Sequence, residues 1–444
     1  MLTHNNLCSN VRQVVNHGGE KQVITWDDRS LAFLPWAHSY GQLCELHSGF
    51  ALGASAGIAA GAPGDAAELL ANIQEVQPTV LFSVPTLFKK VFDGVNKKIE
   101  EEPSPVKRFL MARALKVGHQ VQECKGRGTE PGFLLGLQHR FLDKAVLAKM
   151  RDLLGGHLKI AVVAGAPTPV AVVNFIESLG VRMTEGYGLT ETSPVVSITH
   201  PDPRDRVLGT CGPAVPESKL RVVDPGSLDE ANLSSMGVEV SAGSEGELWV
   251  SGPHVMAGYW GKPEATAEVI VVDPVSGERW FRTGDLVTMV GPGLKHIKVT
   301  GRSKEQYKLE NGKYVAPAPI ENALTMSKFV NQAVLYGSGK PYNVAAVVPD
   351  FAVVAEELGI TDWYEPEELC QDARVVELLK VQIPKELNER GIKKYEQPKQ
   401  WVLLSEPFSA ENEMLTPKLS VRKPNVIKVY KDRLDALYED DLAK

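Results

Sequence analysis

The residues best equipped for chemistry lie in one short string, Glu185-Gly186-Tyr187-Gly188-Leu189-Thr190-Glu191-Thr192-Ser193-Pro194. Glycines on either side of Tyr187 let the backbone turn sharply and approach a ligand closely. Tyr187 offers a flat face for a base, Thr190 a hydroxyl for a phosphate oxygen, and Glu191 the hard oxygen that Mg²⁺ prefers. A second string, Trp280-Phe281-Arg282-Thr283-Gly284-Asp285-Leu286, places a carboxylate just after a glycine turn, where it can accept two hydrogen bonds from a ribose diol. Taken alone, such a string is more often a solvated turn. The third, Gly301-Arg302-Ser303-Lys304-Glu305-Gln306-Tyr307-Lys308, is basic and sits where the pattern of elements changes; a solvated linker would look similar.

Stepping outward from these strings, short apolar strands alternate with amphipathic helices, the pattern of an α/β domain. Strands are expected at 80–84, 160–164 and 181–184, and helices at 86–95, 106–121, 144–154 and 169–178. The strand at 160–164 ends in Gly165-Ala166-Pro167, and the strand at 181–184 leads into Gly186-Tyr187-Gly188. From Gly209 to Val299, short strands (220–223, 247–250 and 296–299) are separated by Gly and Pro turns, which predicts a β-rich subdomain. Beyond Gly301-Arg302 the texture is that of one small α+β domain. The expected division is therefore 1–208, 209–300 and 301–444.

Composition bounds the function classes. The 444 residues carry 55 acidic and 48 basic side chains, a net charge of −7, which argues against a nucleic-acid protein that relies on a global basic field. The five cysteines, Cys8, Cys44, Cys124, Cys211 and Cys370, are scattered and form no CxxC pair, which suits reduced thiols better than a disulfide framework or a zinc site. Residues 1–10 show neither a basic nor an apolar leader region, so no signal peptide is expected. The uncharged stretch Ser48–Gly64 is built of Ala, Gly and Ser, and reads as a tightly packed helix and strand rather than a membrane span.

The three strings, in this order, resemble the adenylate-forming (AMP-binding) superfamily of acyl-CoA synthetases, luciferases and peptide-synthetase adenylation domains. Leu34-Pro35-Trp36-Ala37-His38-Ser39-Tyr40 is similar to the family's aromatic-and-histidine segment near the acyl channel. Gly246-Glu247-Leu248-Trp249-Val250 with Gly258-Tyr259-Trp260 is similar to its β-subdomain signature. Lys308–Asn322 and the LDKAVLAKMRDLLGG stretch resemble the long-chain fatty acid branch specifically. The resemblance implies an α/β adenylate-forming fold: a large N-terminal domain of α/β sheets with a β-rich subdomain, followed by a small, mobile α+β C-terminal domain.

It also implies a ligase that uses ATP, Mg²⁺ and coenzyme A. A fatty carboxylate attacks the α-phosphorus of ATP, and the coenzyme A thiol then takes the acyl group. By motif position, Tyr187 would stack on adenine, flanked by Gly165, Ala166, Pro167, Glu185, Gly186 and Gly188. Thr190 would contact phosphate, Glu191 would ligate Mg²⁺, and Asp285 with Arg302 would hold the ribose. His38 would line the acyl and α-phosphate region, and Lys304 would be the hinge. Ser420 occupies the place of the family's C-terminal catalytic lysine, so Lys418, two residues earlier, is the residue expected to serve.

The chain departs from the family again at the phosphate loop. Nothing in it matches the Thr/Ser/Gly-rich phosphate loop, and Gly61-Ala62-Pro63-Gly64 lacks the hydroxyls and the lysine. The expectation is a chain that begins after that loop, with the first subdomain missing, adenylation impaired, and a sheet edge with apolar surface exposed. The alternatives are a catalytically dead acyl- or nucleotide-binding protein and a ligase for another carboxylic acid. The expected partners are long-chain fatty acid, ATP and coenzyme A, with no nucleic acid. The expected location is cytoplasmic or peripheral on an intracellular membrane.

Overall fold

A computed structural model describes residues 1–17, 24–60, 66–200, 202–228, 235–360, 365–416 and 421–442. The chain divides into two compact units, Met1–Val299 and Thr300–Lys444. Among the described residues no helix is long and apolar enough to cross a membrane.

The first unit is built on a six-stranded sheet. Its strands are β1 (Arg29–Ala32), β2 (Ser55–Ile58), β3 (Val80–Ser83), β4 (Ile160–Ala164), β5 (Arg182–Gly188) and β6 (Val195–Ile198), in the spatial order β2-β1-β3-β4-β5-β6. All neighbours run parallel except β6, which returns antiparallel to β5. The fully buried run of β3 reflects helices covering both faces, as parallel sheets require. Helix Pro85–Glu100 follows β3, starting with proline in its first turn, and turns Leu87, Phe88, Val91 and Val95 inward at helical spacing. Helix Pro105–Gly126 packs on helix Val170–Ser178 so closely that a Cβ at Gly118 would lie 2.2 Å from the Ser178 carbonyl oxygen.

Beside this sheet stands a second one of β7 (Lys219–Val223), β8 (Glu245–Ser251), β9 (Ile270–Val272), β10 (Arg279–Val290) and β11 (His296–Arg302). Its path is β11-β10-β8-β7, with β9 on β10. Val196, Leu248, Val250, Phe281, Val287 and Ile297 form its core.

The second unit holds a hairpin, β12 (Tyr307–Lys308) with β13 (Tyr314–Val315), and a three-stranded sheet of β14 (Val330–Tyr336), β15 (Asn343–Pro349) and β16 (Pro398–Leu403). The central strand β15 is buried along its whole length. Its alternate side chains enter two cores: Ala345 and Val347 join Leu379 and Ile383 on one face, while Val344, Ala346 and Val348 join Val426 and Leu434 on the other.

One expectation needs correction. The stretch from Ser48 does form helix Ser48–Leu52 and strand β2, but it is not tightly packed: Phe50 on the helix is exposed, and so is Ile58 on β2, the edge strand of its sheet. Residues 61–64 lie outside the described residues. The helix expected at 144–154 is present as Asp143–Leu154, opening with a wide π turn at Asp143–Leu147 and closing with a tight 3₁₀ turn at Asp152–Leu154. The other helices and strands named from sequence are present within a few residues, apart from the longer helices Pro85–Glu100 and Pro105–Gly126 and the longer strands β5, β8 and β11.

Candidate active site

The parallel pairing of β4 with β5 sets Ala164 opposite Gly186. The exposed loop Gly165-Ala166-Pro167 and the strand end Glu185–Gly188 therefore leave the sheet side by side, at the carboxyl edge where open α/β sheets bind ligands. Chain reversal between β5 and β6 demands glycine at position 188, where a Cβ would sit 1.7 Å from the Pro194 carbonyl oxygen. Glu185 is buried; its backbone N–H donates to Thr199 Oγ1 at 3.1 Å, and burial lifts its carboxyl pKa to about 7.

Asp285 comes to the same place from the second sheet. Pairing of β10 with β8 is interrupted between Arg282 and Leu286, and Gly284 takes the left-handed conformation there, with φ of 70°. Three contacts fix this bulge. Thr283 Oγ1 donates to the Leu248 carbonyl at 2.7 Å, the Gly284 N–H donates to Glu247 Oε1 at 3.2 Å, and the Asp285 N–H donates to Thr283 Oγ1 at 3.0 Å. The buried Asp285 carboxylate then accepts a hydrogen bond from the Tyr187 hydroxyl at 2.7 Å, across 98 positions of sequence. Burial and the Asp285 charge hold the Tyr187 phenol well above its ordinary pKa, so it stays the donor.

Thr190 and Glu191 lie in the turn after β5. Thr190 Oγ1 is 3.4 Å from Ser39 Oγ, next to His38. His38 Nδ1 accepts from the Tyr40 N–H at 3.1 Å and so caps the short helix that begins at Ser39. Glu45 holds the incoming Leu34–Tyr40 segment: its carboxylate accepts from the Phe33 and Leu34 N–H groups at 3.2 Å each and from Trp36 Nε1 at 3.0 Å. Burial outweighs these bonds and lifts its pKa to about 7. Glu191 Oε1 accepts from the Tyr259 hydroxyl at 2.9 Å. No cluster of three metal-ligating side chains occurs among the described residues. A Mg²⁺ here would take Glu191 as its protein ligand and complete its shell with water and substrate phosphate oxygens, the usual arrangement for that cation.

The remaining predicted residues belong to the second unit. Arg302 is exposed at the end of β11, and Lys304 is exposed in the turn Ser303–Glu305 that follows. Lys418 lies outside the described residues. Nearby in sequence, Lys423 Nζ bridges Glu305 Oε2 at 2.7 Å and Glu321 Oε2 at 2.8 Å. Burial opposes its charge, yet the two carboxylates raise its pKa.

Sequence reasoning had not singled out Ser39, Glu45 or Tyr259 for these roles. Two of them stand in segments that the motifs already marked, but their contacts span up to 151 positions, and no local signal reports them.

Behind the site, an apolar cavity lies between helix His4–Asn16, helix Ser48–Leu52 and the sheet, lined by Val14, Cys44, Leu52, Phe82, Ile160 and Val162. A few polar groups, among them His17, Asp28 and Arg182, also line it.

Comparison with known proteins matches the family model described as AMP-binding enzyme to residues 1–260, and that described as AMP-binding enzyme C-terminal domain to residues 304–442. Long-chain-fatty-acid–CoA ligase 1 of Cavia porcellus is 30% identical across 99% of this chain and 58% of its own length. Long chain acyl-CoA synthetase 7, peroxisomal, of Arabidopsis thaliana is 28% identical across 99% of this chain and 59% of its own. The chain thus spans about three-fifths of the length of these curated relatives. Among solved structures, the A-PCP didomain of carboxylic acid reductase from Segniliparus rugosus, in complex with AMP, aligns with a TM-score of 0.65 at 25% identity, covering 96% of this chain and 51% of that one.

Proposed function

The chain belongs to the AMP-binding enzyme family, and from that premise we propose that it carries the adenosine- and acyl-binding residues of an ATP-dependent long-chain fatty acid–CoA ligase, with adenylation impaired because its sequence matches no phosphate loop. The observation that carries this reading is the convergence of Tyr187 and Asp285 from two different sheets on one 2.7 Å hydrogen bond, at the carboxyl edge of the parallel strands.

In this reading the adenine stacks on Tyr187 against Gly165, Ala166 and Pro167, and the ribose hydroxyls donate to Asp285. The carboxylate of the fatty acid attacks the α-phosphorus; the bond to pyrophosphate breaks and acyl-adenylate forms. Negative charge grows on phosphate oxygens in that step, so preorganised donors and cations supply most of the acceleration. Thr190 donates its hydroxyl to the phosphate, and His38, beside it in the fold, faces the reacting carboxylate. Mg²⁺ held at Glu191 would neutralise phosphate charge.

In the second half-reaction the coenzyme A thiol attacks the acyl carbonyl and AMP leaves. The second unit serves both halves, pivoting at Lys304; Lys418 acts in the first and Arg302 supports the ribose. This rests on the division of the chain at 209 and 301 into α/β, β-rich and C-terminal parts. The acyl chain occupies the apolar cavity lined by Phe82 and Val162, whose hydrocarbon walls suit a long alkyl substrate.

The test is adenylate formation by this chain, followed as pyrophosphate exchange with carboxylic acids of graded length. Weak exchange that rises with acyl length supports the long-chain reading. Exchange confined to short or aryl acids redirects it to another carboxylate, and AMP binding without exchange leaves a nucleotide-binding protein.

A further inference from the structure

Helix Phe133–Leu142 is unusual for a surface element. Six of its ten residues are Phe or Leu, yet Leu142 is the only one of the ten that is buried. Phe133 is 83% exposed, Leu134 72%, Leu137 59% and Phe141 67%. At helical spacing, Leu134, Leu137 and Phe141 fall on one face.

The preceding helix, Pro105–Gly126, adds to this surface. Its inner face, with Ala114, Val117, Gly118 and Val121, is anchored in the first unit, while Val106 and Phe109 near its start are exposed. Arg113 Nη2 donates to Gln138 Oε1 at 3.0 Å, tying the two helices together. A short connection makes them an antiparallel pair, and in that register one further turn brings Phe109 level with Phe141.

Charge distinguishes this surface from an ordinary protein contact. Residues 105–142 contain seven Lys or Arg and two Glu, a net of +5 within a chain whose total is −7. Exposed Phe and Leu on one face, flanked by Lys107, Arg108 and Arg140, form the pattern of a helix lying in the plane of a membrane interface. A second copy of the chain is a poor occupant, because a two-fold contact would press two +5 surfaces together.

We propose that the helical pair spanning residues 105–142 is a docking surface for an anionic lipid bilayer. Phe133, Leu134, Leu137 and Phe141 enter the headgroup–acyl boundary, and Lys107, Arg108 and Arg140 meet the lipid phosphates. The proposal stands apart from the reading of the catalytic site: vesicle binding can fail while nucleotide binding survives, and the reverse.

The experiment is flotation of the full 444-residue chain with vesicles of phosphatidylcholine alone or mixed with phosphatidylglycerol. The chain is expected to float with the mixed vesicles, and binding should fall as salt is raised. Leu137→Ser/Phe141→Ser is expected to weaken partitioning at least about tenfold, and Lys107→Glu/Arg108→Glu should remove about tenfold of the preference for anionic lipid. Because a failed fold would mimic lost binding, Phe141→Trp supplies a gain of signal: its fluorescence should shift to the blue with mixed vesicles and not with phosphatidylcholine. The proposal is overturned if the wild-type chain stays unbound, if it binds both vesicle types equally, if the serine variant floats as well as wild type, or if that substitution instead dissolves a dimer seen by sedimentation.

Discussion

Replacing Asp285 by Asn changes one oxygen to an amide while keeping the shape of the side chain. In the fold, Asp285 is buried and accepts a hydrogen bond from Tyr187 at 2.7 Å, and an ionised carboxylate offers about four acceptor sites to its donors. A hydrogen bond to a charged acceptor contributes about 1.5–3 kcal/mol, and one to a neutral amide about 0.5–1.5 kcal/mol. The wild-type chain should therefore bind AMP roughly 10- to 150-fold more tightly than 2′-deoxy-AMP, which lacks one of the two bonds. In Asp285→Asn that preference should shrink to about 2- to 10-fold, with AMP itself weakened by a similar factor for each hydroxyl. Calorimetric titration of both nucleotides into both proteins gives the four constants. The ratio of ratios is insensitive to any general loosening of the fold, because that weakens both nucleotides alike. An unchanged preference in Asp285→Asn would refute the assignment of the ribose to this carboxylate.

Glu191→Ala should raise the Mg²⁺ concentration for half-maximal adenylate formation about tenfold, within the range for loss of a metal ligand or its partner, while leaving metal-free AMP binding within a few-fold. Gly188→Ala should cost about 1–3 kcal/mol or more in urea unfolding, since the new Cβ meets the Pro194 carbonyl at 1.7 Å, and AMP binding should fall with it. Lys423→Met strands Glu321 and Glu305 beside each other and should destabilise the second unit by about 3 kcal/mol, measured by urea unfolding of the full chain. Glu45 and Glu185, lifted by burial from 4.5 to about 7, bind more protons folded than unfolded between those values. Their stabilisation is thus complete below pH 4.5 and lost as pH rises through 7, by at most about 3 kcal/mol each. Glu185→Gln should flatten that slope, and a wild-type stability that instead climbs across the window, with Glu185→Gln no flatter, would contradict it.

Several features were legible in the linear chain because they depend on local chemistry. Alternation of apolar strands and amphipathic helices marked the α/β layer, since period and turn residues act over a few positions. The glycine-flanked Tyr187 and the turn at Gly284-Asp285 were visible because only glycine tolerates such close approach or positive φ. The ordered strings by themselves resemble the AMP-binding family.

What only the tertiary structure decided are the contacts between those strings. Tyr187 meets Asp285, and Glu191 meets Tyr259, because the reversal from β5 to β6 and the bulge in β10 bring distant residues together. Exposure was equally hidden: the Ser48–Gly64 stretch read as packed, yet its strand β2 is a sheet edge, and the Phe- and Leu-rich helix at 133–142 stands mostly outside the core. Burial is a property of what lies opposite a face, and that neighbour is set by sheet order and helix packing, which no window of sequence contains.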